Sequence, residues 1–158
     1  MKLYKKLSDT ELYHGNNIDV LKTIESESVD CVVTSPPYWG LRDYGSEGQL
    51  GLEATPEKYV NNLVKVFKEI HKVLKPSGTV WLNLGDSYAG PNSDKYSNPK
   101  DLIGIPWRVA FALQADGWYL RSDIIWQKPN PMPESVKDRP TKSHEYIFLL
   151  TKSKKYYY

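Results

Sequence analysis

The sequence predicts an α/β fold in which a mainly parallel sheet carries helices on both faces. Strand-like apolar runs alternate with segments of helical apolar spacing, and polar turns follow three of the strand-like runs. This alternation favours a parallel sheet, because each parallel connection needs a crossover that is usually a helix. The length of 158 residues fits a single domain over residues 1–158.

The N-terminal segment begins this pattern. Residues 1–10 are polar and basic, which indicates an arm or a short edge element. Residues 11–14 predict a first strand. Residues 15–17 predict a turn in which Asn17 caps a helix over residues 18–25.

The rest of the chain continues the alternation. Residues 55–57 predict a helix start, because they supply a cap, a first-turn proline and an early acidic group. This helix runs to about residue 74, and a second one covers residues 106–117. Further strands are predicted at 30–34, 79–84, 118–126 and 145–150. Long loops are predicted at 39–55, 86–103 and 127–143, and residues 89–101 are predicted to be disordered or ordered only by a partner.

Three polar turns follow predicted strands, at residues 15–17, 34–38 and 85–87. The carboxyl ends of parallel strands lie at one edge of a sheet, and ligands of open α/β sheets bind there. We therefore expect the three turns to meet at one edge and to form the functional site.

The turn after residues 30–34 offers hydrogen-bond acceptors and few donors. Pro36 and Pro37 have no N–H group and a fixed φ. The Ser35 hydroxyl and the Pro36 carbonyl can each accept one N–H bond of an amino group, such as that of a nucleobase. The Tyr38 ring offers a face on which a base can stack. The alternative is a stiff turn without a ligand.

The six residues Val33–Tyr38, with the sequence Val-Thr-Ser-Pro-Pro-Tyr, resemble the catalytic signature of amino-group DNA methyltransferases. The Thr-Ser version resembles the N4-cytosine branch, whereas the N6-adenine branch usually has Asp or Asn at the position of Ser35. The resemblance covers almost the whole chain, and residues 82–86 are similar to a segment that lies near the catalytic loop in the family. It implies a Rossmann-like methyltransferase fold, the cofactor S-adenosylmethionine and the partner double-stranded DNA.

The resemblance also implies residue roles. The catalytic candidates are Ser35, Pro36, Pro37 and Tyr38. The cofactor-binding candidates are Asn16, Thr34 and Ser35. The family usually has an acidic residue at the position of Asn16, so a plain turn and cap remains the alternative for this residue.

Five residues are candidates for contacts with DNA: Trp39, Arg42, Lys128, Arg139 and Lys142. Trp39 has two open roles, stacking on DNA or packing under the loop. Residues 127–143 are predicted to face phosphates, with a solvated surface loop as the alternative. The net charge of +2 is compatible with DNA binding and does not argue for it.

Composition excludes several other classes. Cys31 is the single cysteine, so the chain cannot form an internal disulfide. The three histidines lack metal-ligand spacing, and no apolar run approaches 18 residues. We therefore expect no metal and no membrane contact, and a cytoplasmic protein associated with the nucleoid.

The sequence contains no Gly-x-Gly, although the family carries a Gly-rich cofactor loop. We expect a truncated catalytic part that lacks the cofactor half. A missing C-terminal half or a second chain would then supply the loop. The competing hypotheses are N6-adenine methylation and a DNA-binding remnant without turnover.

Overall fold

The structure is a computed structural model that describes residues 2–91, 93 and 96–158. Its elements are β1 (Lys2–Leu7), β2 (Thr10–His14), α1 (Asn17–Leu21), β3 (Val29–Thr34), α2 (Pro56–Val73), β4 (Leu74–Leu84), α3 (Ile105–Ala115), β5 (Tyr119–Gln127) and β6 (His144–Thr151). Among the helices of the described residues, none has the length and apolar content needed to span a bilayer.

Four strands form the main sheet, in the order β3-β4-β6-β5. β3 and β4 pair in parallel, whereas β6 pairs antiparallel with both β4 and β5. Three strands therefore run in one direction, and β6 runs against them from a position between β4 and β5. The predicted α/β class is confirmed, but only one of the three pairings is parallel. The reason is that a loop without a crossover helix joins β5 to β6, which makes that pair antiparallel.

All three helices join one apolar cluster on a single face of the sheet. α2 and α3 contribute fully buried side chains such as Phe67 and Leu113, and β4 and β6 contribute Leu82 and Phe148. Val33 points to the opposite face and is 80% exposed. Apolar periodicity did not predict this shared face for the described helices, because it shows that a helix packs but not on which face.

α2 begins as its sequence predicts. The Thr55 side chain accepts a hydrogen bond from the Lys58 backbone N–H, and Pro56 occupies the first turn. This arrangement satisfies an N–H group that has no partner within the helix. α2 leads directly into β4 at Leu74, so the strand begins earlier than predicted.

β1 and β2 form a separate antiparallel hairpin. The strand predicted at residues 11–14 therefore exists but lies outside the main sheet, because it pairs with the adjacent basic segment. Its following turn does not end a strand of that sheet, so the argument from the ends of parallel strands does not apply to residues 15–17. The α1 cap is Asn16 rather than Asn17, and α1 ends at Leu21.

The segment between β4 and α3 is packed where it is described. Tyr88 pairs with Leu102 in an isolated antiparallel bridge. The Ala89 backbone N–H donates to the Asp101 carbonyl over 2.8 Å, and Ser93 is 1% exposed. The prediction of disorder at 89–101 is wrong for these residues, while positions 92, 94 and 95 of that prediction lie outside the described residues.

Candidate active site

The turn after β3 opens onto a cleft of about 800 Å³, here called the loop cleft. Ser35, Pro36, Pro37 and Tyr38 form one wall of the loop cleft. The loop between β5 and β6 and the start of β6 form the opposite wall, with Lys128, Met132, Lys142 and Glu145 among its residues. The four catalytic candidates therefore share one open cavity at the edge where β3 and β4 end.

Ser35 also borders a second depression, the sheet-face groove, of about 620 Å³. Its lining comprises Cys31, Val33, Thr34, Ser35, Trp81, Asn83, Trp126 and Ile147, which are mostly apolar. Ser35 is the one described residue that lines both cavities. Groups bound in the two cavities would thus meet at the Ser35 side chain.

Buried contacts hold the proline turn in place. The Tyr59 hydroxyl, fully buried on α2, donates to the Pro37 carbonyl over 2.8 Å. The Gly40 N–H donates to the Gly51 carbonyl over 2.8 Å, and Gly51 has a φ of +99°. A Cβ atom at residue 51 would lie 2.9 Å from the Tyr38 carbonyl oxygen, so only glycine allows this close approach.

Trp39 packs under the loop that follows β3. Its side chain is only 7% exposed, and its indole N–H donates to the Glu53 carbonyl over 2.8 Å. Its ring packs edge-on against Tyr96 at 5.4 Å. Of the two roles that the sequence left open for Trp39, these contacts support packing under the loop, because burial of a large aromatic ring stabilises the loop.

The Tyr38 ring lies directly over Gly85 and is tied down at its hydroxyl. A Cβ atom at residue 85 would be 2.6 Å from the Tyr38 Cε2 atom. The Tyr38 hydroxyl lies 2.7 Å from Asn83 Oδ1 and 2.8 Å from Glu145 Oε2. Burial raises the pKa of Tyr38 to about 12, and the Glu145 carboxylate adds to the rise.

Glu145 is held in its charged form. Burial alone would raise the pKa of Glu145, but the hydrogen bonds from Lys128 and Tyr38 outweigh burial and lower it. Lys128 forms a salt bridge with Glu145, so a charged pair anchors the Tyr38 hydroxyl at the floor of the loop cleft.

Ser35 completes a group of oxygen atoms that we call the acceptor cluster: Ser35, Tyr38, Asn83 and Glu145. The exposed Ser35 hydroxyl lies 3.2 Å from Asn83 Oδ1 and 3.3 Å from the Tyr38 hydroxyl. Within the described part of the chain, the Pro36 carbonyl accepts no hydrogen bond. Ser35 and Pro36 can thus offer two oxygen acceptors to a ligand that carries N–H groups.

Sequence reasoning placed residues 82–86 near this site but gave no role to Asn83 or Asp86, and it missed Glu145. Asn83 interrupts the apolar run of β4, and Glu145 directly precedes the apolar run of β6. Asp86 is buried and accepts from the Ile105 N–H over 2.9 Å, which caps α3 where Gly104 offers no side chain. A polar residue within an apolar strand pattern was the available signal for Asn83 and Glu145.

The four cationic candidates divide between two cavities. Arg42, Lys128 and Lys142 line the loop cleft. Burial lowers the pKa of Lys142, although Asp86, with an oxygen 3.7 Å from its ammonium, opposes that change. Arg139 instead stacks at 3.6 Å over the Tyr88 ring and borders a neighbouring depression.

The two remaining cofactor candidates differ in their surroundings. Asn16 accepts from the Ile18 N–H over 2.9 Å, and this use of its oxygen is the plain cap that the sequence allowed. Thr34 lies at the end of β3 and lines the sheet-face groove next to Ser35.

The raised pKa of Tyr38 leads to a prediction about alkaline stability. Folding disfavours the tyrosinate, so the stability that Tyr38 contributes is full below pH 10 and is lost as pH rises towards about 12. We expect urea unfolding to show a steeper loss of stability over this range in the wild type than in Tyr38→Phe. The control Tyr119→Phe, at an exposed tyrosine, should follow the wild type. Equal pH profiles for the wild type and Tyr38→Phe would contradict the assignment.

Comparison with known proteins gives one family. The model of the DNA methylase family N6_N4_Mtase matches residues 29–158. The type II methyltransferase M.Cfr9I of Citrobacter freundii is 53% identical, over 97% of this chain and 58% of that protein. The chain thus spans a little over half the length of this relative.

Solved structures agree on the fold. The cytosine-N4-specific PvuII DNA methyltransferase matches with a TM-score of 0.72 at 20% identity, over 92% of this chain and 50% of that chain. TTHA0409 of Thermus thermophilus, solved with S-adenosylmethionine, matches with a TM-score of 0.69 at 26% identity, over 91% of this chain and 56% of that chain. The fold of the described residues is therefore that of part of an S-adenosylmethionine-dependent methyltransferase.

Proposed function

The chain belongs to the N6/N4 family of DNA methylases, and from this premise we propose that it holds the target base of a site-specific DNA methyltransferase. The reaction transfers a methyl group from S-adenosylmethionine to the exocyclic amino group of a base that has left the duplex, and it releases S-adenosylhomocysteine and one proton from the amino nitrogen. N4 of cytosine is the preferred target. The observation that carries the proposal is the position of Ser35, which borders both the loop cleft and the sheet-face groove.

The proline turn prepares the amino group for transfer. An exocyclic amino nitrogen is a poor nucleophile, because its lone pair is delocalised into the ring. Ser35 Oγ and the Pro36 carbonyl oxygen would accept its two N–H bonds and favour a tetrahedral nitrogen. The nitrogen lone pair would then point away from the two acceptors and towards the sheet-face groove. The protein contributes position and preorganised dipoles, so no covalent enzyme intermediate is needed.

The loop cleft suits a flipped base. Its volume of about 800 Å³ admits a nucleobase, and Tyr38 presents an aromatic ring beside the two acceptors. Flipping a base costs a few kcal/mol, and stacking on an aromatic side chain recovers about 1–3 kcal/mol. Tyr38 would thus both position the base and offset part of the cost of extrusion.

The sheet-face groove fits part of S-adenosylmethionine. Its apolar lining suits the adenine ring, and Thr34 adds a hydroxyl beside Ser35. When bound, this cofactor supplies an electrophilic methyl group. No charged side chain is among the described residues that line the groove. The charged amino-acid end of S-adenosylmethionine therefore needs binding groups from elsewhere. We propose that a C-terminal half or a second chain supplies them, together with a Gly-rich loop.

Double-stranded DNA is the proposed partner, which places the activity at the nucleoid in the cytoplasm. Arg42, Lys128 and Lys142 line the loop cleft and can contact phosphates. Met132, on the same cleft, is 85% exposed and could fill the space that a flipped base leaves in the stack. Arg139 would contact DNA at the neighbouring depression and not in the loop cleft.

The choice between cytosine and adenine rests on Ser35, where the N6-adenine branch usually carries Asp or Asn. The test incubates the whole protein with tritium-labelled S-adenosylmethionine and DNA, then identifies the modified nucleoside by mass spectrometry. We expect N4-methylcytosine. N6-methyladenine would support the alternative target. Absence of label above the background of Ser35→Ala would support a DNA-binding remnant without turnover.

A further inference from the structure

We infer that Asn83 is a positioning residue that turns the Ser35 hydroxyl hydrogen inward, so that the Ser35 lone pairs face the base. This inference rests on the proposed function and deepens it. A serine hydroxyl can donate or accept, whereas the proposed chemistry requires Ser35 to accept an N–H bond. Some other group must therefore take the hydrogen of Ser35.

A hydrogen bond to the neighbouring strand fixes the orientation of the Asn83 amide. The Asn83 Nδ2 group donates to the Tyr146 carbonyl over 3.2 Å, across the β4–β6 pair. This donation leaves Asn83 Oδ1 facing the two hydroxyls of the acceptor cluster, at 2.7 Å from Tyr38 and 3.2 Å from Ser35. Asn83 therefore presents an acceptor, and not a donor, to Ser35.

The Tyr38 hydroxyl has a single hydrogen to donate. Two acceptors lie within reach, Asn83 Oδ1 and the charged Glu145 Oε2. A hydrogen bond to a carboxylate is about twice as strong as one between neutral groups. Tyr38 therefore donates to Glu145, and the Asn83 oxygen stays available for Ser35.

The direction of the Ser35 hydroxyl hydrogen follows from the choice that Tyr38 makes. If Tyr38 donates to Glu145, the Ser35 hydrogen goes to Asn83 Oδ1 at 3.2 Å. If Tyr38 donates to Asn83 instead, the Ser35 hydrogen goes to the Tyr38 oxygen at 3.3 Å. Both arrangements turn the hydrogen towards Asn83 and Tyr38, and both leave the Ser35 lone pairs open to the loop cleft.

A carboxylate at position 35 would not need such a partner, because it carries no hydrogen and only accepts. Serine needs one. Asn83, which takes the Ser35 hydrogen directly or holds the Tyr38 hydroxyl that takes it, thus lets a neutral hydroxyl act as an acceptor at this turn.

The test compares Asn83→Leu with Asn83→Asp in the whole protein. Leucine removes both the oxygen and the N–H group, whereas aspartate keeps an oxygen towards Ser35 and loses the N–H bond to the Tyr146 carbonyl. We expect kcat for methyl transfer to fall about tenfold in Asn83→Leu, the scale of one net hydrogen bond. We expect Asn83→Asp to stay within about threefold of the wild type.

A double-mutant cycle with Ser35→Ala separates orientation from structural support. In the Ser35→Ala background there is no hydroxyl to orient, so Asn83→Leu should lower the residual rate by less than about twofold. Asn83→Leu and Asn83→Asp both lose the hydrogen bond to the Tyr146 carbonyl. Urea unfolding of each single variant measures the loss of stability that follows.

Three results would count against these ideas in different ways. Equal rate losses in Asn83→Leu and Asn83→Asp would overturn the inference, because they would assign the effect to the bond with Tyr146. An active wild type with an unaffected Asn83→Leu variant would also overturn it. A wild type that labels no base would instead overturn the proposed function.

Discussion

We expect that replacing Ser35 by alanine lowers the methyl-transfer rate by about 100- to 1,000-fold, the scale seen when one preorganised polar group is removed from an active site. The change removes one of two acceptors for the amino group and leaves the Pro36 carbonyl. It also removes the contacts of the Ser35 hydroxyl with Asn83 and Tyr38, at 3.2 Å and 3.3 Å. Because Ser35 is exposed, its removal leaves the core unchanged.

The measurement is single-turnover transfer of labelled methyl groups to DNA, compared with urea unfolding of the same proteins. Ser46→Ala is the matched control, since Ser46 is an exposed serine in the loop after β3 and makes no side-chain hydrogen bond within the described residues. The control should keep the wild-type rate. A Ser35→Ala protein that keeps a rate within a few-fold of the wild type would remove Ser35 from the mechanism.

Gly85→Ala destabilises the protein by about 1–3 kcal/mol, the cost of overpacking a close contact, and also lowers the methyl-transfer rate. The added Cβ atom would lie 2.6 Å from Tyr38 Cε2 and 2.7 Å from Cδ2. The ring cannot simply swing away, because Asn83 and Glu145 hold its hydroxyl. The substitution must therefore displace Tyr38 or break its hydrogen bonds.

Gly90→Ala is the matched control for this effect. A Cβ atom at residue 90 would meet nothing within 4 Å, and its φ is not in the left-handed region. We expect Gly90→Ala to match the wild type in urea unfolding and in methyl transfer. If Gly85→Ala behaves like Gly90→Ala in both measurements, the seating of Tyr38 on Gly85 does not matter for the site.

Local sequence signals predicted the elements well where the local pattern decides the outcome. The cap, first-turn proline and apolar stripe of α2 lie together in sequence, and α2 begins where these signals place it. The end of β3 at the proline turn follows from the missing N–H groups of Pro36 and Pro37. These features needed no knowledge of distant contacts.

The arrangement of the strands and helices depends on contacts between residues that are far apart in the sequence. The place of β6 between β4 and β5 depends on the pairing of strands far apart in sequence, which period-two patterns do not encode. The same holds for the hairpin of β1 and β2 and for the single helical face of the sheet. Asn83 and Glu145 lie beside apolar runs of β4 and β6, but their meeting at Tyr38 depends on separations of 45 and 107 residues.

The candidate site divides in the same way. Residues 35–38 are contiguous, so the sequence alone could predict that they share one cavity. Trp39 is adjacent to them but is buried by Glu53 and Tyr96, which the sequence alone did not bring to it. Adjacent position in the sequence therefore did not imply a shared role.

The central claim is that the target amino group binds between Ser35 and Pro36. A crystal structure of the whole protein with its DNA and S-adenosylhomocysteine tests this most directly. We predict an amino nitrogen within about 2.7–3.2 Å of both Ser35 Oγ and the Pro36 carbonyl oxygen. A flipped base bound elsewhere, with both oxygens facing only solvent, would contradict the claim.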